Sequence, residues 1–147
     1  MKTWCFALCL ALLIVSPSWA AGSDPAPATR GPAADLYARG KAAADEGRYA
    51  EALRLFQQAN QVQPHNPDTL NMIAFCHRKL GKLSEAFAYY DRALKLRPRF
   101  PAAREYLGEA HLQAALEQVE ILKSYGPEGA EALADLVKAI KEAAEKL

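Results

Sequence analysis

This chain of 147 residues has few cysteines and almost no net charge. It contains three cysteines, and its 18 Lys and Arg side chains nearly balance 17 Asp and Glu side chains. Binding to nucleic acid requires a dense cationic face, and adhesion to an anionic membrane surface requires a polybasic segment. The balanced charge therefore argues against both kinds of partner.

Catalytic and metal-binding motifs are also lacking. The sequence has no nucleophile elbow, no glycine-rich phosphate loop, no Cys-x2-Cys and no His-x3-His. Cys76 and His77 are adjacent, but neighbouring side chains on a helix point about 100° apart and cannot easily face one ion. We therefore expect no enzyme, no cofactor and no metal site. We interpret Cys76 as a small buried packing residue.

The first twenty residues have the pattern of an export signal. Lys2 precedes an apolar run from residue 4 to residue 15, and Ser18 and Ala20 occupy the small-residue positions that signal peptidase requires. We predict a signal peptide at 1–20 and an exported protein, periplasmic in a bacterium. The apolar run is shorter than the about 20 residues of a membrane span. An uncleaved signal anchor is the alternative, and the one membrane association that we expect.

Cleavage after residue 20 would change the cysteine content. Cys5 and Cys9 would leave with the signal, and Cys76 would remain as a single thiol without an internal partner. The following segment, 21–32, is rich in Pro, Ala and Gly and has no apolar period. We predict that it is a flexible linker.

A motif of small and apolar residues then occurs twice, 34 residues apart. Its first copy reads Leu36, Gly40, Ala43, Gly47, Tyr49, Ala52, Phe56, Ala59, Pro64. Its second copy reads Leu70, Ala74, His77, Gly81, Leu83, Ala86, Tyr90, Ala93, Pro98. Apolar residues recur at three- and four-residue spacing, and no strand pattern appears, which indicates an all-α fold.

These two copies resemble the tetratricopeptide repeat family, whose period is 34 residues. The resemblance implies a solenoid of helix pairs, with one repeat at 33–66 and a second at 67–100. Gly47 and Gly81 fall in the turn inside each pair, where a left-handed backbone ends the first helix. Gly40 and Ala74 are small, which would allow the paired helices to approach closely.

A third copy, at 101–127, is degenerate. Its beginning (Leu107, Gly108) and its end (Ala115, Val119) are recognisable, but five residues between them are missing, including the turn glycine. We predict that its two helices fuse into one helix from about residue 102 to residue 124. Such a helix would extend past the neighbouring pair, and we expect it to expose its late apolar residues, namely Leu116, Val119, Ile121 and Leu122.

The last segment, 128–147, is predicted to be an amphipathic helix. Its apolar residues recur at helical spacing: Leu133, Leu136, Val137, Ile140, Ala144 and Leu147. We expect a capping helix that covers an exposed apolar face. The alternative is that the long helical arm pairs with a second copy of the chain and forms a homodimer.

The resemblance also implies a concave groove lined by the first helix of each pair. The groove-facing positions are Tyr37, Lys41, Ala44, Asn71, Met72, Phe75, Arg78, Glu105, Tyr106 and Glu109. Phe75 is the best single anchor for a peptide, whereas Tyr106 has packing against the next repeat as an equal explanation. Some members of the family bind a terminal carboxylate with Lys and Asn. Here only Lys41 and Asn71 could contribute, so we expect no such clamp.

The function that follows is protein binding. We expect an exported adaptor that holds a peptide segment of a partner protein in a short groove, without chemical change. The alternative is a structural protein that assembles through its C-terminal arm, with the groove filled by its own N-terminal segment.

Overall fold

A computed structural model describes residues 31–146, and this part of the chain is helical without a strand. The elements are α1 (Pro32–Asp45), α2 (Tyr49–Val62), α3 (Pro67–Lys79), α4 (Leu83–Leu96), α5 (Pro101–Ser124), a 3-10 turn (Gly126–Gly129) and α6 (Ala130–Ala144). The all-α class is confirmed. The predicted signal peptide, most of the predicted linker and the last residue lie outside the described residues. Pro32, which we placed in the linker, begins α1, because proline tolerates the first helical turn.

The helix ends follow the predicted chemistry. Gly47 and Gly81 adopt φ angles of 75° and 74°, the left-handed conformation that ends α1 and α3. The side chain of Asn66 caps α3 by accepting hydrogen bonds from the backbone N–H groups of Asp68 (2.9 Å) and Thr69 (3.2 Å). The repeated glycines and prolines therefore set the lengths of the first four helices.

Two helix pairs, α1/α2 and α3/α4, pack side by side. Within the first pair, the ring of Phe56 packs directly against Gly40, and Ala52 is fully buried. In the second pair, Tyr90 packs with Ala74 and Ala86, and all three are fully buried. The small residues of the motif thus leave room for one large ring in each pair. Contacts of α2 with α3 and of α4 with α5 join the pairs into one stack.

Helix α5 runs without a break through the position where the turn is missing. Its 24 residues span about 36 Å at 1.5 Å per residue. The predicted fusion is therefore confirmed. Leu116 and Ile121 are exposed, as expected, and Leu122 is half-buried. The expectation was wrong for Val119, which is only 7% exposed. Val119 is buried because the chain reverses after α5 and α6 packs back on it.

The reversal depends on two glycines. Gly126 has a φ of 62°, and a Cβ atom at Gly129 would collide with the carbonyl oxygen of Leu122. The following helix, α6, packs on α5, yet none of its residues is fully buried. Within residues 31–146, no helix is long and apolar enough to cross a membrane.

Candidate functional site

A cluster of aromatic rings and cations connects α3 with α5 and with the start of α2, on the face lined by α1, α3 and α5. We call it the Phe75 cluster, and it comprises Tyr49, Phe75, Arg78, Lys79 and Tyr106. The Phe75 ring lies 5.2 Å from the ring of Tyr106 and 5.9 Å from the ring of Tyr49, measured between centroids. Residues 75, 78 and 79 share one side of α3, because helical neighbours are three and four residues apart.

Two cations lie against the rings of this cluster. The guanidinium carbon of Arg78 is 5.5 Å from the centroid of Phe75 and 5.9 Å from that of Tyr106. The ammonium nitrogen of Lys79 is 5.5 Å from Phe75 and 5.9 Å from Tyr49. Contacts of this kind contribute about 0.5–1 kcal/mol each at exposed sites. They hold the half-buried Phe75 ring in a fixed place on the surface.

Arg78 also links α3 to α5 through charge. It is 8% exposed, and its guanidinium forms an ion pair with the carboxylate of Glu109. Its Nε atom is buried and has no hydrogen-bond partner among the described residues. A buried cation is tolerated only when it is paired, so Glu109 fixes the position of Arg78. The ion pair therefore helps to fix the position of α3 relative to α5.

Asn71 and Met72 do not lie on the groove surface, where the repeat pattern predicts them. Both are buried, and Met72 belongs to the core cluster that contains Phe56 and Ile73. The Oδ1 atom of Asn71 has no hydrogen-bond partner within residues 31–146. A buried acceptor without a donor costs about 1–3 kcal/mol. Asn71 and Met72 form the floor beneath the surface side chains rather than the surface itself.

A cleft of about 470 Å³ lies at the other end of the same face. Tyr37 lines it together with Asn66 and Asp68. The carboxylate of Asp68 accepts two hydrogen bonds from the guanidinium of Arg97, at 2.8 and 2.7 Å. Burial, with a smaller effect of the Asp68 charge, raises the pKa of Tyr37. Tyr37 therefore presents a neutral hydroxyl, and its ring packs edge-on against Phe56 at 5.4 Å.

The predicted groove residues thus fall into separate places. The structure brings Phe75, Arg78, Tyr106 and Glu109 together, and Glu105 is exposed one helical turn before Glu109. Ala44 is buried in the core of the first pair. Lys41 is exposed, and its ammonium group lies 3.8 Å from the carboxylate of Asp45.

Two members of the cluster were not predicted as site residues. Lys79 follows Phe75 by four residues, a spacing that could have indicated a shared helix face. Tyr49 was assigned only to the repeat motif, and no sequence signal placed its ring beside Phe75.

His77, His111 and Cys76 take part in packing. His77 stacks on Tyr89 with centroids 5.6 Å apart, and His111 stacks on Phe87 at 4.6 Å. Cys76 is fully buried, and burial raises the pKa of its thiol to about 12. Within the described residues, no three His, Cys, Asp or Glu side chains form a group that could hold a metal ion.

Comparisons with known proteins agree with this architecture. One tetratricopeptide repeat model matches residues 43–86, and a second TPR repeat model matches residues 76–114. Over 71 residues, 48% of this chain, the sequence is 39% identical to Protein CTR9 homolog of Arabidopsis thaliana. The matched part is 6% of that protein, so this chain spans only a small part of its relative's length.

Two solved structures share the fold. The first TPR of Spaghetti (RPAP3) bound to the HSP90 peptide SRMEEVD has a TM-score of 0.55 and 21% identity, over 75% of this chain and 94% of that one. The Sgt2 TPR domain from Aspergillus fumigatus has a TM-score of 0.57 and 24% identity, over 82% and 88%. The predicted repeat solenoid is confirmed, and at this identity the two structures establish the fold alone.

Proposed function

We propose that this chain, which contains tetratricopeptide repeats, is an adaptor that binds a peptide segment of a partner protein on the face lined by α1, α3 and α5. The observation that carries the proposal is the Phe75 cluster, in which a half-buried ring contacts two cations on the surface of a helix. Aromatic and arginine side chains are enriched among the residues that contribute most to binding at protein interfaces. The similar Spaghetti repeat structure is bound to a peptide, which supports this kind of ligand.

The side chains on this face favour a mixed ligand. Phe75 and Tyr106 offer apolar contact, Lys79 offers a cation, and Glu105 offers an exposed carboxylate. A clamp for a terminal carboxylate would need free cations on the first and third repeats. Lys41 is paired with Asp45, and α5 presents Glu105 and Glu109 instead. The proposed ligand is therefore an internal segment with apolar and charged side chains, and binding involves no chemical step.

We propose further that the adaptor acts after export. Support comes from the sequence alone: the apolar run and the small residues before Ala21. The test is the intact mass of the protein recovered from the periplasm of a bacterial host. A mature chain that begins at Ala21 supports the proposal, and a full-length chain retained in the cytoplasm refutes it.

Self-assembly through the C-terminal arm is the second candidate function. It is favoured by the absence of a fully buried residue in α6 and by the exposure of Tyr125 at the end of the arm. Light scattering of the purified protein tests it, with Leu136→Glu as the variant. A dimer that dissociates in this variant supports assembly, and a monomeric wild-type protein excludes it.

The adaptor proposal is tested by the affinity of a partner that co-purifies with the tagged protein. We expect Phe75→Ala to weaken binding at least about tenfold, because the ring is the central apolar contact. The matched control is Arg54→Ala, an exposed residue of α2. Equal affinity of wild type and Phe75→Ala would refute the proposed site.

A further inference from the structure

The exposed side of α5 continues beyond the Phe75 cluster. Glu105 and Glu109 begin a series in which residues recur every three or four positions along one side of the helix. We call this surface the α5 strip: the series is Glu105, Glu109, Leu112, Leu116 and Glu120, and Glu117, which lies beside Leu116, borders it. Because Glu109 pairs with Arg78, the strip starts at the candidate groove and runs away from it.

The strip presents apolar surface that its own chain leaves open. Leu112 is 52% exposed and Leu116 is 50% exposed. Leu116 borders a shallow depression together with Glu117, Glu120 and Ile121. Helix α6 packs on α5, and Val119 is buried, but Leu112 and Leu116 stay exposed. Two leucines one turn apart offer a docking surface for apolar side chains at matching spacing.

The charged side chains of the strip are glutamates, and Lys123 follows at its end. From Glu105 to Leu122 the chain carries four glutamates and no lysine or arginine. Glu109 is paired with Arg78, and Glu120 lies 2.7 Å from the ammonium of Lys123. Glu105 and Glu117 have no ion-pair partner among the described residues. The edge of the strip is therefore acidic beside an apolar centre.

The negative charge of the strip indicates which kind of protein segment could bind there. The α5 helix of a second copy carries four glutamates against one arginine and one lysine, so it offers no excess of positive charge. The α6 helix of a second copy carries three acidic and two basic side chains and offers no excess of positive charge. The chain's own segment 21–30 (AGSDPAPATR) has one arginine, one aspartate and no large apolar side chain, so it cannot cover Leu112 and Leu116. A basic, apolar segment of another protein fits all of these properties.

We propose that the α5 strip extends the groove and binds a basic amphipathic helical segment of the partner. Leucine-sized side chains of that segment contact Leu112 and Leu116, and its lysines or arginines face Glu105 and Glu117. The inference rests on the proposed adaptor function, and it adds the chemistry of the ligand. The missing turn of the third repeat then has a consequence for binding, since it supplies a longer surface than a closed helix pair would.

The test uses a designed helical peptide with leucines three and four residues apart and lysines between them. A second peptide carries glutamate in place of each lysine. The protein variants are Glu117→Lys/Glu120→Lys on the strip and Glu131→Lys/Glu142→Lys on the exposed side of α6, which change the net charge equally. Fluorescence anisotropy of the full chain measures the affinity.

We expect the lysine peptide to bind wild type, to bind the strip variant at least about tenfold more weakly, and to bind the α6 variant like wild type. The glutamate peptide should not bind. Equal binding of the two peptides, or equal weakening by the two variants, would overturn the inference. So would a dimer that Leu116→Asp dissociates, because a second copy would then occupy the strip.

Peptide binding by the variant Phe75→Ala distinguishes a failure of the α5 strip from a failure of the Phe75 site. Loss of the lysine peptide in the strip variant alone supports the strip and counts against the Phe75 site. Loss in Phe75→Ala alone supports the groove and overturns the extension. Loss in both variants supports one continuous surface, and no binding to any form of the protein overturns the inference.

Discussion

The ring of Phe56 in α2 lies so close to Gly40 in α1 that no side chain fits between them. A Cβ atom at Gly40 would approach three atoms of the Phe56 ring to 2.8–3.0 Å. The glycine of the first repeat is therefore required by packing, since α1 has an ordinary helical backbone at this point. Gly108 occupies the same place in the third repeat, but no atom lies within 4 Å of a Cβ added there.

This difference predicts opposite effects of the same substitution. Gly40→Ala should lower the free energy of unfolding by about 1–3 kcal/mol, because the Phe56 ring must move within a packed core. Gly108→Ala should raise it by about 0.5–1 kcal/mol, because alanine stabilises an exposed helix interior. Urea denaturation measures both. Destabilisation of equal size at the two positions would contradict the packing that we describe.

Gly129 should control the attachment of α6. Gly129→Ala places a methyl group against the carbonyl oxygen of Leu122, so the turn cannot keep its conformation. We expect faster amide hydrogen exchange throughout α6 and unchanged exchange in α1–α4. Glu128→Ala, at an exposed neighbouring position, is the control. Protection of α6 that survives Gly129→Ala would show that the turn does not depend on glycine.

His77 should make stability depend on pH. Burial lowers the pKa of His77 below its usual value of 6.5; the charge of Glu85 opposes this effect, and the charge of Lys82 adds to it, both to a smaller extent. The unfolded chain therefore binds a proton at a higher pH than the folded chain. The free energy of unfolding should fall as the pH drops below about 6.5, towards the lowered pKa of the folded state.

The variant His77→Phe isolates this effect, since it keeps a ring against Tyr89 and removes the titrating group. Its stability should decline less than that of wild type between about pH 7 and pH 5. Urea unfolding midpoints at the two pH values provide the measurement. Parallel declines in both proteins would assign the pH dependence to other groups.

The thiol of Cys76 should be inert in the folded protein. Burial raises its pKa to about 12, so the reactive thiolate is scarce in the folded state. In a Cys5→Ser/Cys9→Ser background, a thiol reagent should label Cys76 slowly in buffer and rapidly in denaturant. Equal rates in the two solvents would show that the second repeat opens readily.

Much of the fold could be predicted because its signals are local. Gly47, Gly81 and the prolines at the helix starts act through their own backbone. Their positions alone therefore predict where helices begin and end. The loss of a turn in the third repeat likewise predicts one continuous helix.

Features that depend on contacts between distant segments could not be predicted in this way. The burial of Val119 requires α6 to return along α5, and helical spacing does not say against which surface an amphipathic helix packs. The contacts of Lys79 and Tyr49 with Phe75 depend on where two helices meet. Asn71 and Met72 occupy groove positions in the repeat pattern, yet the approach of neighbouring helices buries them.

We propose that the face lined by α1, α3 and α5 binds a partner protein, and site-specific photo-crosslinking in the native cell is the decisive test. A benzoylphenylalanine at Glu105 lies on this face, and one at Arg54 is exposed on α2. We predict a crosslinked partner from position 105 and none from position 54. Adducts from position 54 alone, or adducts of equal yield from both positions, would contradict the claim.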